Sequence, residues 1–251
     1  MNVKGLAAIV TGAGSGLGAV TAEALAAAGA KVALLDINED GLQTVAATTG
    51  GLAVTCDVSS AEAAEAAVAQ AREANGPCRD LVNCAGIAPG KRIVGRDGTM
   101  PLADFEKVIQ VNLFGSFNML RLAAADMLAA EPLEDDERGV IISTSSIAAA
   151  EGQMGQAAYA ASKAGITGMM LPAAREFAKK GVRVLTIAPG LIGTPLLLNM
   201  PQEVQDNLAG QVPFPHRFGK PEEYAGLVMH LVENVMLNAG SFRIDGGMRM
   251  Q

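Results

Sequence analysis

Tryptophan is absent and only two tyrosines occur among 251 residues. So thin an aromatic supply excludes a stacking platform for single-stranded nucleic acid. Basic charge is short as well: 19 Lys and Arg stand against 26 Asp and Glu, a net charge of -7. A general polyanion binder needs clustered cations, so no nucleic-acid partner is expected, although backbone amides can still hold one small anion. Cysteine is limited to Cys56, Cys78 and Cys84. An odd number without CxxC spacing gives no disulfide framework and fits a reducing, cytoplasmic setting. His216 and His230 are the only histidines and lack ligand partners at usable spacing, so no metal site is expected. Long apolar runs are missing too. The longest uncharged stretch, 184–202, is broken by Pro189, Gly190, Gly193 and Pro195, which excludes a membrane-spanning helix. Lys4 before an apolar stretch imitates a signal peptide only faintly, because the glycine-rich turn that follows suits a first strand better.

What is present is apolar and rich in glycine: half the residues are hydrophobic, 18% are charged and 29 are Gly. That composition belongs to a folded chain, and the length to one large domain, 1–251. Short aliphatic runs predict strands at 6–11, 31–36, 52–57, 80–83, 140–146, 182–188 and 242–244. Ala-rich stretches predict helices at 17–28, 39–48, 61–75, 102–130, 156–179 and 221–233. Continuous apolar strands alternating with helices imply an α/β, Rossmann-like doubly wound parallel sheet with helices on both faces and ligands at the carboxyl ends of the strands. The acidic run 131–138 reads as a solvated loop. The segment 87–100, with Lys91, Arg92 and Arg96 beside Gly90, Gly95 and Gly98, reads as a long exposed loop after a strand end.

The first strand runs into Thr11-Gly12-Ala13-Gly14-Ser15-Gly16-Leu17-Gly18 and then a helix. Glycines let the backbone turn and approach a pyrophosphate, and the helix amino terminus supplies free N–H groups and partial positive charge. The spacing is Gly12-x3-Gly16-x-Gly18 rather than GxGxxG. The second strand ends in Asp36, whose carboxylate can accept from both ribose hydroxyls and repels a 2′-phosphate, favouring NAD over NADP. Asp57-Val58 closes the third strand and Asn83-Cys84-Ala85-Gly86 the fourth, on the same edge.

Tyr159 and Lys163 share one helix face at i, i+4. A free phenol has a pKa near 10, too high for a base at neutral pH, and a nearby ammonium lowers it. The fifth strand closes with Ser143-Thr144-Ser145-Ser146. A strand-end hydroxyl there can hydrogen-bond a substrate oxygen as charge develops, and the residues alone leave Ser145 and Ser146 both open. Asn112 sits mid-helix, where its propensity is poor, which invites a polar role. Pro189 to Pro195, followed by apolar 196–200, reads as a hinged flap able to close over a ligand. Gln153 and Gln156 precede Tyr159 and either face substrate or cap the helix.

Taken in order, 11–18, 83–86, Asn112, Ser146, Tyr159 with Lys163, and Pro189-Gly190 resemble a short-chain dehydrogenase/reductase over the whole chain. The resemblance implies that Ser146, at the family's distance from Tyr, polarises a carbonyl and that Tyr159 moves the proton. It implies that Lys163 holds the nicotinamide ribose and Asn112 anchors a relay water. The stretches 151–159, 187–197, 211–215 and 243–251 resemble the type II 3-hydroxyacyl-CoA dehydrogenase subgroup. By that likeness Ser15, Leu17, Asp36, Asp57, Val58, Cys84, Ile192 and Thr194 contact NAD, with Pro189 beside them, and the segment 87–100 stands near substrate. An acyl-CoA substrate and a homotetramer built on 102–130 and 156–179 follow from the resemblance. Dehydrogenation of hydroxysteroids or other secondary alcohols, reduction of acyl-carrier-protein ketones, and cofactor binding without turnover remain alternatives.

Overall fold

The computed structural model describes residues 1–96 and 98–250, with the side chain of Leu196 excepted. Asp97 of the basic segment and Gln251 at the carboxyl end of the sequence lie outside the described residues.

The chain runs β1 (Ala7–Thr11), α1 (Gly16–Ala27), β2 (Lys31–Asp36), α2 (Glu39–Thr49), β3 (Leu52–Thr55), α3 (Ala61–Asn75) and β4 (Cys78–Asn83). A small hairpin of β5 (Val94–Gly95) and β6 (Gly98–Thr99) follows, then α4 (Leu102–Ile109) and α5 (Gly115–Ala129). The second half is β7 (Gly139–Thr144), α6 (Ala148–Glu151), α7 (Ala157–Phe177), β8 (Val182–Pro189), α8 (Pro195–Leu198), α9 (Gln202–Gly210), α10 (Pro221–Glu233) and β9 (Ser241–Ile244). The main sheet is parallel throughout, in the order β3-β2-β1-β4-β7-β8-β9. The order reverses between β1 and β4, and the crevice outside their carboxyl ends is where such sheets bind ligands.

Alternation explains why the strands read as unbroken apolar runs. Ile9, Leu35, Leu81, Ile141 and Val184 face one side and pack under α3, α5 and α7. Their neighbours Val10, Leu34, Val82, Ile142 and Leu185 face the other, under α1, α2 and α10. Each such side chain contributes about 1.5–3 kcal/mol by leaving water.

Three expectations are corrected. The helix over 102–130 is two helices joined by a π turn, Gln110–Phe114, centred on Asn112. The segment 87–100 is exposed, as expected, but it contains the β5/β6 hairpin, and Lys91 pairs with Asp104 at the start of α4. The acidic run is not wholly solvated: Glu137 is buried and takes a 2.8 Å hydrogen bond from the buried Arg183. The Arg183 guanidinium at 2.8 Å and the Met1 ammonium at 3.1 Å offset the cost of burying this carboxylate. Among the described residues, no helix is long and apolar enough to cross a membrane.

Candidate active site

The glycine turn fits one conformation tightly. Gly12 has φ +66°, and a Cβ there would stand 2.7 Å from the Ala85 nitrogen. On Gly18 a Cβ would fall 2.2 Å from the Gly12 carbonyl oxygen. The ends of β1 and β4 therefore touch backbone to backbone, and the Thr11 hydroxyl accepts from the amides of Cys84 and Ala85, both at 3.1 Å. Ser15 is the extended residue before α1, its hydroxyl does not cap the helix, and the first turn carries no acid. The amides of that turn, which includes Gly16 and Leu17, have no side-chain acceptor from Ser15, as an anion site requires. Thr194 packs over it, its Cγ2 3.5 Å from where a Gly16 Cβ would be.

Asp36 holds this turn to β2. Its Oδ2 accepts from Gly14 N–H and its Oδ1 from Asn38 N–H, each at 2.9 Å. The cap of α2 is Asn38, whose side chain accepts from Gly41. Asp36 is therefore not spent on capping, and each oxygen keeps lone-pair capacity for a ligand hydroxyl. Asp57 stands at the same edge with Oδ1 bound to the amide and hydroxyl of Ser59, at 2.9 and 2.6 Å. Val58 is buried, and its carbonyl takes 2.9 Å from Asn118.

Ser145 and Ser146, left open by the sequence, are separated by their partners. Ser145 points into α7: it donates to the Lys163 carbonyl at 3.0 Å and shares 2.7 Å with the Thr167 hydroxyl. Ser146 accepts from Ala148 N–H at 3.1 Å and shares the wall of one cavity with Tyr159. Burial pushes the Tyr159 phenol above its usual pKa, and the nearby Ser146 hydroxyl draws it partly back. The expected lowering by Lys163 is not found. The ammonium lies 5.7 Å from the ring centroid and donates instead to the Thr144 carbonyl at 2.7 Å. Lys163 is itself buried, and desolvation brings its pKa down to about 8, which weakens it as a source of positive charge.

Two cavities share Leu17, Ala88, Thr144 and Tyr159 in their walls. One, of about 240 Å³, holds Ser146, Gln156, Ile192 and Thr194 and is walled by Leu191 and Leu197. The other, of about 800 Å³, holds Cys84, Gly86, Lys91 and Lys163. Pro189 lies in the wall of the smaller. Gln156 begins α7 without capping it, and its Oε1 accepts from the Gln153 amide at 2.9 Å. Gln153 itself lines a neighbouring cavity of about 490 Å³ with Arg92 and Met154. Of the expected site residues, Asn83 stands apart. It is buried inside the sheet, with Nδ2 donating to Ser143 Oγ at 3.1 Å and to the Ser116 carbonyl at 3.3 Å.

Asn112, which the resemblance makes the anchor of a relay water, is buried and held by the turn after β4. Its Oδ1 accepts from Ile87 N–H at 2.8 Å, and its Nδ2 donates to Ile87 O at 2.9 Å and Ser162 Oγ at 3.0 Å. The π turn brings this amide inward, as single π turns near functional sites commonly do. The result is a brace on the turn after β4. Burial raises the Cys84 thiol pKa, and its Sγ lies 3.5 Å from the Thr144 hydroxyl and 3.7 Å from that of Tyr224. Sequence reasoning missed Thr11, Thr144 and Tyr224. Thr11 and Thr144 each close an apolar strand, a polar position that was the available signal, whereas Tyr224 reaches Thr144 from α10.

Residues 6–205 match the family described as short chain dehydrogenase. The chain is 51% identical over 255 residues to a 3-hydroxyacyl-CoA dehydrogenase type-2 of Bos taurus, covering 100% of this chain and 97% of that one. It is 49% identical over 254 residues to the protein of that name from Homo sapiens, with the same coverage. The crystal structure of a 3-hydroxyacyl-CoA dehydrogenase type-2 from Mycobacterium avium superposes with TM-score 0.94 at 39% identity, covering 98% of this chain and 97% of the other. The sheet order, the glycine turn and these likenesses agree, and the chain belongs to the short-chain dehydrogenase family of oxidoreductases.

Proposed function

We propose that residues 1–251 form one NAD-binding domain that interconverts short or branched 3-hydroxyacyl-CoA and 3-oxoacyl-CoA. The observation that carries this reading is the meeting of Ser146 and Tyr159 in one cavity walled by apolar side chains, next to the cavity holding Lys163. The names of relatives at about half identity support the thioester.

The residues fit a dinucleotide. The amides of Gly16, Leu17 and Gly18 suit a pyrophosphate, and Asp36 suits an unphosphorylated adenosine ribose. Asp57, Val58 and Ala85 shape the edge at which the adenine and ribose would lie, with Asn83 bracing the strand behind it. Lys163, in the wall of the larger cavity, would hold the nicotinamide ribose, and Pro189, Ile192 and Thr194, in the wall of the smaller, would close that side. When bound, NAD supplies or accepts the hydride. Ser146 donates to the substrate oxygen, while Tyr159 gives that oxygen a proton in reduction and takes it back in oxidation. The raised phenol pKa keeps Tyr159 protonated at neutral pH, which suits reduction. Gln156 faces the substrate from the start of α7, with Gln153 behind it.

The outer faces of α5 and α7 support a homotetramer. Phe114 and Phe117 are half exposed along an apolar groove with Leu128, Gly165 and Gly168, and a patch of this kind marks a protein interface. Light scattering is expected to give the mass of four chains, and a monomer at micromolar concentration would contradict it. Three free cysteines suit the cytoplasm.

The reading is tested by incubating the protein with NAD and 3-hydroxybutyryl-CoA. NADH and acetoacetyl-CoA are expected in equal amounts, with NADP a poor substitute. Tight NAD binding without either product would overturn it.

A further inference from the structure

The segment after β9 folds back onto the catalytic strand end. Met248 is 2% exposed and packs with Ile147 and Val212 in a small core, with Leu191 and Met250 against it. Ile147 is the direct neighbour of Ser146. Charge ties the segment further. Glu151, the last residue of α6, receives two hydrogen bonds from the Arg243 guanidinium, at 2.8 and 3.2 Å, and one from the Met250 amide at 3.0 Å. Arg243 also donates to Asp245 at 2.6 Å and to the Met248 carbonyl at 2.9 Å. A guanidinium fork on both oxygens of a carboxylate fixes direction as well as distance. The same short α6 begins where Ala148 donates to Ser146 Oγ, so one turn of helix anchors both the reacting hydroxyl and the tail.

The consequence lies in the cavity of about 240 Å³. Met250 lines it together with Tyr159, Leu191 and Leu197. We propose that Met250 limits the length of the acyl group this cavity accepts, and that Glu151 and Arg243 are positioning residues that hold it there. The proposal rests on the 3-oxoacyl-CoA reading. An unbranched thioether makes an apolar wall that yields locally, and its place is set by its backbone anchor rather than by its own shape.

The test compares acetoacetyl-CoA, 3-oxohexanoyl-CoA and 3-oxooctanoyl-CoA with NADH for the full chain, Met250→Ala, Glu151→Ala and Glu151→Gln. A methylene in an apolar pocket is worth roughly 10- to 200-fold. Met250→Ala is therefore expected to raise kcat/KM for the octanoyl over the acetoacetyl ester by about tenfold or more, with NADH affinity unchanged. Glu151→Ala is expected to move that ratio the same way, and Glu151→Gln, which keeps an acceptor for the Met250 amide, to move it less. An unchanged ratio in Met250→Ala, with acetoacetyl-CoA still reduced, would overturn the proposal. Should the unmodified chain reduce no thioester, the same variants are run on 2-butanone, 2-hexanone and 2-octanone. A shift towards the longer ketone then upholds Met250 as the limit and removes only the thioester reading. No shift, or turnover of neither series, overturns the proposal.

Discussion

Lys163 donates from a buried ammonium to the carbonyl oxygen of Thr144, two residues before Ser146, at 2.7 Å. The bond ties α7 to the end of β7, and it places the charge of a largely buried side chain in the wall of the larger cavity. Desolvation lowers the Lys163 pKa from 10.5 to about 8. Between those values the unfolded chain binds the proton and the folded chain does not, so this group makes stability rise with pH across that window. Below it both states are protonated and the burial cost stands in full. Lys163→Met is therefore expected to be more stable than the unmodified chain at neutral pH, by a few kcal/mol at most given the lost hydrogen bond. It is also expected to lack the rise between about pH 8 and 10.5. Denaturant unfolding at a series of pH values measures the difference, and parallel curves would contradict it.

The two adjacent serines are expected to separate chemistry from stability. Ser146→Ala removes the donor to the substrate oxygen and is expected to lower kcat by about 10²–10³-fold with little change in melting temperature. Ser145→Ala leaves Thr167 without its 2.7 Å partner and is expected to cost about 1–3 kcal/mol with kcat nearly unchanged. Steady-state rates and thermal melts on both variants check the assignment, and the reverse pattern would contradict it.

Asp36 both carries charge and accepts from Gly14 and Asn38. Asp36→Asn keeps an acceptor and removes the repulsion of a 2′-phosphate. The preference for NADH over NADPH is expected to fall by about tenfold or more, an energy of roughly 1.4 kcal/mol. Fluorescence titration with the two dinucleotides measures it directly, and an unchanged ratio would locate the discrimination elsewhere.

Glu137 carries no chemistry, and its removal is expected to be felt throughout the fold. Glu137→Ala leaves Arg183 buried without its carboxylate, a loss of about 3–5 kcal/mol. Chemical denaturation measures it. A loss below about 1 kcal/mol would mean that the pair behaves like an exposed one.

Much of this was legible because period and punctuation are local. The strand run 31–36 matches β2 residue for residue, since an aliphatic stretch bounded by Gly29 and Asn38 admits little else. Tyr159 and Lys163 were visible through their spacing. What was hidden depends on partners distant in sequence. The π turn at Asn112 forms inside a run whose Ala and Leu pattern is ordinary, and the reason for it is Ile87, 25 residues earlier. Glu137 looked solvated among other acids because its partner Arg183 lies 46 residues away. The helix α8 was taken into the apolar flap, since Pro and Gly flank it at close spacing, and α9, beyond the flap, was not foreseen. Choosing Ser146 over Ser145 from the residues alone needed Thr167, which no strand pattern brings into view.

The most direct measurement follows loss of NADH with acetoacetyl-CoA, comparing the unmodified chain with Tyr159→Phe. The variant keeps the ring and removes only the proton-bearing oxygen. Turnover with NADH, falling by about 10²–10⁴-fold in the variant while NADH still binds, is the expected result. Equal rates in the two proteins would contradict the role of Tyr159 and with it the proposed proton transfer.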